Sequence, residues 1–223
     1  MDIGFGLGEL RFLLLGLQWT VLLSLIAFAG GGLAGLAVAL ARTSEVRALR
    51  WTTAGYIAVF QGTPLLMQLF VVYYGLGLLG WQLPAWLAVA IAFTLNASAF
   101  LGEIWRGAIQ ALPRGQTEAA LALGLHPIAR LRHVILPRAF RIAQPATVGY
   151  LVQLIKGTSL AAIVGFIELA RAGQIVSNQT FRPLLVFGIV GAIYFVLCWP
   201  LSLYSARLEA RLALATRRTI PPL

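Results

Sequence analysis

The stretch that decides the fold is residues 118–137, EAALALGLHPIARLRHVILP, which lies between two long apolar runs. It opens with Glu118-Ala119-Ala120, continues through Gly124 and Val134, and closes with Leu136-Pro137. Glycine tolerates the backbone of a tight turn, so Gly124 predicts a break between two short helices. Proline lacks the N–H that a helix interior needs, so Pro137 predicts the end of the second helix and the start of the next membrane entry. We expect a helical hairpin whose small residues allow close contact with a partner.

The composition is that of an integral membrane protein. Of the 223 residues, 60% are hydrophobic and 11% are charged, whereas soluble domains are nearer half apolar and a quarter charged. A net charge of +10 would point to nucleic acid in a soluble protein. Here the arginines lie in loops beside apolar runs, so we expect no nucleic-acid partner. The length suits a single transmembrane domain over residues 1–223.

Five apolar runs are long enough to cross a bilayer, since a helical span needs about 20 apolar residues. They are residues 12–41, 52–79, 84–102 with a possible extension to 111, 142–167 and 184–206. The sequence therefore predicts an all-α membrane protein with about five transmembrane helices.

The arginines predict the orientation of these spans. The loops after the first and third runs and the C-terminal tail hold thirteen arginines, and the opposite side holds three. Positively charged loops stay in the cytoplasm. We therefore expect the N-terminus outside, the C-terminus in the cytoplasm, and the loop of residues 112–138 on the cytoplasmic face.

The spacing Glu-Ala-Ala, three residues, Gly, nine residues, an aliphatic residue, one residue, Leu-Pro resembles the cytoplasmic coupling loop of the permeases of ATP-driven importers. Further blocks resemble the polar amino acid subfamily of these permeases over nearly the whole chain. These blocks are Gly62-Thr63-Pro64-Leu65, Glu103-Ile104-Trp105-Arg106-Gly107, Lys156-Gly157-Thr158-Ser159 and Glu168-Leu169. The resemblance implies the type I ABC importer permease fold.

The resemblance also implies a function: a multi-pass subunit that moves polar amino acids across the bacterial inner membrane. The implied partners are the lipid bilayer, a pair of ATP-binding subunits, a second permease subunit, identical or homologous, and an extracytoplasmic solute-binding protein. The same architecture serving another small solute is the main alternative, and an ion-coupled secondary transporter is a weaker one. The latter needs carboxylates or paired polar groups inside the spans, and we expect no Asp or Glu deep in the five runs.

The chain is not expected to be an enzyme. It contains no Gly-x-x-x-x-Gly-Lys-Ser/Thr loop, which is the usual phosphate cradle of ATP-binding proteins. We therefore expect no cofactor in this chain, with ATP and Mg on a partner subunit. One cysteine, Cys198, and two loop histidines, His126 and His133, do not supply a metal site.

Two sets of residues follow as candidate sites. Coupling to the ATPase subunit is assigned to Glu118, Ala119, Ala120, Gly124, Leu136 and Pro137. The substrate path is assigned to Gln61, Thr63, Pro64, Asn96, Gln153, Lys156, Thr158 and Ser159.

Lys156 is the one formally charged residue well inside any of the five runs. Such residues are costly in a bilayer and are by default functional. Its ammonium could meet a substrate carboxylate or a buried glutamate. Alternatively, Lys156, Thr158 and Ser159 could support backbone carbonyls freed near Gly157. Glu103 and Arg106 are three residues apart, which predicts a local ion pair on one helix face.

Overall fold

The computed structural model describes residues 5–219, and for Arg114 and residues 215–219 it describes the backbone alone. The described chain is mostly helical and contains no strand. Its α-helices are α1 (Leu7–Thr43), α2 (Arg47–Gly62), α3 (Leu65–Phe70), α4 (Leu76–Leu78), α5 (Ala85–Gln110), α6 (Arg114–Ala122), α7 (Pro127–Arg130), α8 (Leu136–Gly157), α9 (Leu169–Thr180) and α10 (Pro183–Thr219).

The core forms where α1 lies directly against α5. A Cβ atom added to Gly31 on α1 would collide with Ala97 on α5, and one added to Gly35 would lie 3.1 Å from the backbone N of Gly102. Small residues let helix backbones approach this closely in membranes, where packing rather than hydrophobicity drives association. The glycine-rich part of α1 is therefore a packing surface.

The second apolar run is not one straight span, contrary to the expectation for residues 52–79. The chain bends by 104° between Arg47–Gly62 and Leu65–Leu78. The reason is Pro64, which has no N–H to donate to the carbonyl of Phe60 one turn earlier. Thr63 and Pro64 are extended, as residues at and before a proline tend to be.

Pro137 does not end a helix, which corrects the prediction for the coupling loop. The chain is helical from α7 through a five-residue π-helical turn, Leu131–Ile135, into α8. In that turn the N–H of Leu136 donates to the carbonyl of Leu131, five residues back. A π turn widens the helix, and a proline in the first turn of a helix needs no donor. Pro137 is therefore accommodated at the junction, and the membrane helix continues from the loop without a break.

The fourth crossing differs most from the prediction for residues 142–167. After Gly157 the helix tightens to a 3₁₀ helix, Thr158–Val164, and the chain turns at Gly165. It then enters α9, which the sequence did not predict. Leu169 and Val176 of α9 pack with Leu13 of α1 in one apolar cluster. Since the N–H of Leu169 bonds Thr20, α9 starts about 20 Å along α1 at a rise of 1.5 Å per residue and runs back toward the start of α1.

Four described helical segments are long and apolar enough to cross a membrane, and the bent pair makes a fifth. The four are Leu7–Thr43, Ala85–Gln110, Pro127–Val164 and Pro183–Leu214. The predicted number of about five spans is thus confirmed, and one of the five is the bent pair.

Candidate functional site

A chain of polar side chains joins α2, α3, α5 and α8 near the bend at Pro64. The side-chain amide of Gln68 donates to the carbonyls of Phe60 at 2.8 Å and Thr63 at 3.0 Å. The amide N of Asn96 donates to Gln68 Oε1 at 3.0 Å, and the Tyr150 hydroxyl donates to Asn96 Oδ1 at 3.1 Å. Gln68 thus supplies the donor that Pro64 lacks, and the break in the span is stabilised by side chains.

Two members of this hydrogen-bonded chain, Asn96 and Tyr150, line a cavity of about 240 Å³ together with Thr63, Gln153 and apolar residues. Asn96 is 11 residues into α5, which places it about 17 Å along that helix. Polar groups and irregular backbone at such a depth are tolerated where they line a cavity. Three of the predicted path residues therefore come together: Thr63, Asn96 and Gln153.

Lys156 lies on the neighbouring face of α8. It is exposed in the single chain and lines a second cleft, of about 280 Å³, with Tyr194 and Cys198 of α10. Gln61 and Pro64 are also exposed, on the chain around the bend. These three predicted path residues lie on the open surface of the subunit beside the polar cavity.

Thr158 and Ser159 have local roles in the structure. Thr158 is fully buried, and its hydroxyl donates to the carbonyl of Ile155 at 2.7 Å. The Ser159 hydroxyl donates to the carbonyl of Lys156 at 2.9 Å. Both hydroxyls satisfy carbonyls where the α-helix tightens to a 3₁₀ helix. The fully buried Thr158 side chain does not line the polar cavity in this structure.

Glu168 corrects the expectation that no carboxylate lies deep among the spans. It is fully buried and accepts hydrogen bonds from the backbone N–H groups of Ala170 at 2.9 Å and Arg171 at 2.8 Å. The hydroxyls of Thr20 at 3.3 Å and Tyr194 at 3.0 Å also donate to it. Sequence reasoning missed it because it follows the fourth apolar run by one residue and α9 was not predicted.

The coupling loop has the predicted helical hairpin. Gly124 has a φ of +69°. The N–H of Gly124 donates to the carbonyl of Leu121, and the N–H of Leu125 donates to the carbonyl of Ala120. This pair of bonds is the Schellman ending of a helix, which favours glycine in the left-handed position. The side chains of Leu121, Leu123 and Ile128 are 54%, 79% and 69% exposed around this turn. Such a cluster of exposed apolar side chains indicates a contact surface for another protein.

The predicted coupling residues divide into two groups by burial. Glu118, Ala119 and Gly124 are exposed. Ala120 is 3% exposed, and the half-buried Leu136 lines, with the exposed Pro137, an apolar cavity of about 390 Å³ beside α1 and α5. The exposed residues are available to a partner, whereas Ala120 and Leu136 pack against their own subunit.

The predicted ion pair is present at the end of α5. Arg106 Nε donates to Glu103 Oε2 at 2.7 Å, and a second guanidinium nitrogen bonds the other carboxylate oxygen. In the described part of the chain no three His, Cys, Asp or Glu side chains are grouped as a metal site would require.

Comparison with known proteins agrees with these features. Residues 31–214 match the family described as binding-protein-dependent transport system inner membrane component. The L-cystine transport system permease protein TcyB of Bacillus subtilis (strain 168) is 38% identical, over 88% of this chain and 85% of that protein. The arginine transport system permease protein ArtQ of the same organism is 33% identical, over 95% of this chain and 97% of that protein.

A solved structure is similar over most of its length. It is described as "Crystal structure of an amino acid ABC transporter with histidines". One of its chains is 35% identical to this chain and superposes on it with a TM-score of 0.83. The match covers 90% of this chain and 94% of that one. With five spans, a helical hairpin turned at Gly124 and a polar cavity at the bent span, the chain belongs to the family of inner membrane components of binding-protein-dependent transport systems, the permease subunits of ABC importers.

Proposed function

We propose that this permease subunit carries polar amino acids inward across the bacterial inner membrane. The observation that carries the proposal is the cavity lined by Thr63, Asn96, Tyr150 and Gln153 at membrane depth. Hydroxyl and amide groups that converge in a concave site give orientation and specificity to a small polar ligand. The related permeases named for cystine and arginine support an amino acid as the solute.

The chemistry of the path fits a zwitterion. Asn96, Tyr150 and Gln153 offer neutral donors and acceptors around the cavity, which suit an ammonium and a carboxylate without fixing the charge of the side chain. Lys156 adds a cation on the next face of α8, where it attracts the carboxylate that all amino acids share. Solutes without a carboxylate lack this interaction.

Energy for transport comes from a separate ATP-binding subunit in this proposal. The chain has no Gly-x-x-x-x-Gly-Lys-Ser/Thr loop, so ATP and Mg belong to the partner. The exposed apolar side chains of Leu121, Leu123 and Ile128 around Gly124 form the surface against which the partner docks. Closure of a pair of such subunits would move the hairpin and open the cavity outward.

A second permease subunit, identical or homologous, would complete the path. Gln61, Gln153 and Lys156 are exposed in the single chain, and polar or charged side chains at membrane depth normally face protein or water. A facing subunit would enclose these residues in a shared channel. An extracytoplasmic solute-binding protein would deliver the amino acid to its outer mouth.

The test is uptake by the whole complex in proteoliposomes. The permease is reconstituted with its ATP-binding subunit and binding protein, and entry of labelled cystine, glutamine, arginine and a sugar is measured with and without ATP. We expect ATP-dependent entry of at least one amino acid and none of the sugar. A matched complex with an ATP-binding subunit unable to hydrolyse ATP should be inactive. Uptake that follows an ion gradient without ATP, or uptake of the sugar alone, would contradict the proposal.

A further inference from the structure

Three arginines line a cleft where α1 ends and α2 begins. Arg42, Arg47 and Arg50 surround a cavity of about 400 Å³ together with Trp51 and Ala54. The charge pattern along the chain assigns this end of both helices to the cytoplasmic face of the membrane. We propose that this cleft binds the headgroup of an anionic phospholipid of the cytoplasmic leaflet.

The guanidinium groups are positioned but not neutralised. Arg42 Nη1 lies 3.5 Å from the carbonyl of Arg50, and Arg50 Nη1 donates to the carbonyls of Ser44 at 3.0 Å and Glu45 at 3.1 Å. These acceptors are neutral, and the one ion pair in the described part of the chain lies elsewhere, between Glu103 and Arg106. The cleft thus holds three positive charges without a carboxylate partner.

One donor in the cleft has no acceptor at all. The Nε–H of Arg42 is buried and makes no hydrogen bond within the described chain. A buried donor left unpaired is unfavourable, and a small turn of the Arg42 guanidinium toward the cleft would bring this N–H to an acceptor held there. A phosphate oxygen supplies a charged acceptor of the kind that guanidinium groups bind most strongly.

The start of α2 strengthens the same preference. Its N-cap is Val46, which has no side-chain acceptor, and its first turn contains no acidic residue. The first N–H groups of a helix have no partner inside the helix, and the positive end of the helix dipole favours phosphate. The helix end and the three guanidinium groups therefore attract the same anion.

The neighbouring surface of α2 suits acyl chains, which selects a phospholipid among phosphate-bearing ligands. Trp51 is 72% exposed, and tryptophan is enriched at the depth of lipid headgroups. Gly55 and Ala58 are also exposed and follow Trp51 at i+4 and i+7, on the same face of the helix. These three positions carry no charge, so the acyl chains of a lipid held in the cleft would lie along them.

Binding of phosphatidylglycerol to the assembled transporter in detergent, measured by native mass spectrometry, tests the proposal. The informative variant is Arg47→Gln, because Arg47 makes no side-chain hydrogen bond in the described structure and its loss should leave folding unchanged. Each arginine near an anionic lipid strengthens the attraction to that lipid, so the loss of Arg47 should weaken the affinity for phosphatidylglycerol about fivefold. The matched control is Arg207→Gln on α10, an exposed arginine that we expect to change binding little.

The outcomes separate the possible ligands. Phosphatidylcholine, which carries a phosphate but no net charge, should bind weakly, and glycerol phosphate should not displace phosphatidylglycerol at equal concentration. An equal loss in Arg47→Gln and Arg207→Gln would show general charge attraction and overturn the site. Displacement by glycerol phosphate would replace the lipid with a soluble phosphate. Unchanged lipid binding with weakened association of the ATP-binding subunit would mean that a protein contacts the cleft. The test does not depend on which solute is carried.

Discussion

The Thr20 hydroxyl donates a hydrogen bond to the carboxylate of Glu168, 148 residues along the chain, and accepts one from the N–H of Leu169. Through Tyr194 the same carboxylate reaches α10. One buried acid therefore caps α9 and joins three helices. Four donors surround it, which offsets the cost of placing a polar group away from water.

Glu168→Ala should destabilise the protein strongly. Removing the acid leaves two backbone N–H groups and two hydroxyls without their acceptor, and each buried unpaired group costs about 1–3 kcal/mol. We expect a clear fall in the thermal unfolding temperature of the purified complex. Tyr194→Phe, which removes a single donor, should have a smaller effect. The control is Glu209→Ala on the exposed surface of α10, and equal unfolding temperatures for the two alanine variants would contradict this role.

Lys156→Met should reduce transport while the complex still assembles. The substitution keeps the length of the side chain and removes the charge that faces the open surface beside Tyr194 and Cys198. Loss of a charge-assisted hydrogen bond to the substrate predicts a fall of about tenfold or more in uptake. Lys156→Arg, which keeps the charge, should retain more activity. A parallel loss of assembly would assign Lys156 a structural role, and full uptake with normal stability would reject both roles.

Gly124→Asp should uncouple the permease from its ATP-binding subunit. Aspartate tolerates the left-handed backbone better than most residues, so the substitution mainly adds bulk and charge to the exposed apolar turn. We expect stimulation of ATP hydrolysis by the binding protein to be lost. Gly115→Asp on α6 is the control, because Gly115 is exposed and a Cβ there meets no atom within 4 Å. Normal ATP hydrolysis and uptake in Gly124→Asp would show that the turn is not a docking contact.

Gly31→Ala should loosen the packing of α1 on α5. The added methyl group would collide with Ala97, and overpacking of a filled core costs about 1–3 kcal/mol. Gly32→Ala is the control, since its nearest contact is Trp105 at 3.6 Å, an ordinary van der Waals distance. The unfolding temperature should fall for the first variant and change little for the second. Equal values would mean that the two helices can separate at no cost.

The N-terminus should lie outside the membrane and the C-terminus in the cytoplasm. Thirteen arginines lie on the side assigned to the cytoplasm and three on the other, and positive charge retains loops inside. Reporters that are active in one compartment alone, fused to each end, measure this directly. Finding both ends on one side would exclude five crossings.

The amino-acid sequence by itself determined the helical class, the number of spans and the hairpin at Gly124. Hydrophobic runs and a glycine turn are local properties, because they depend on residues close together in the chain. The Glu103–Arg106 pair was predictable for the same reason, since residues three apart on a helix are neighbours.

The tertiary structure alone decided how the bent span is stabilised and where α9 lies. Pro64 predicts an unpaired carbonyl at Phe60, but only the fold brings the Gln68 amide 2.8 Å from it and adds Asn96 and Tyr150 to form a cavity wall. Likewise, α9 lies among the spans because Thr20 and Tyr194 meet Glu168 from distant parts of the chain. Such hydrogen bonds join residues with no fixed spacing, so they arise from packing and leave no periodic signal in the sequence.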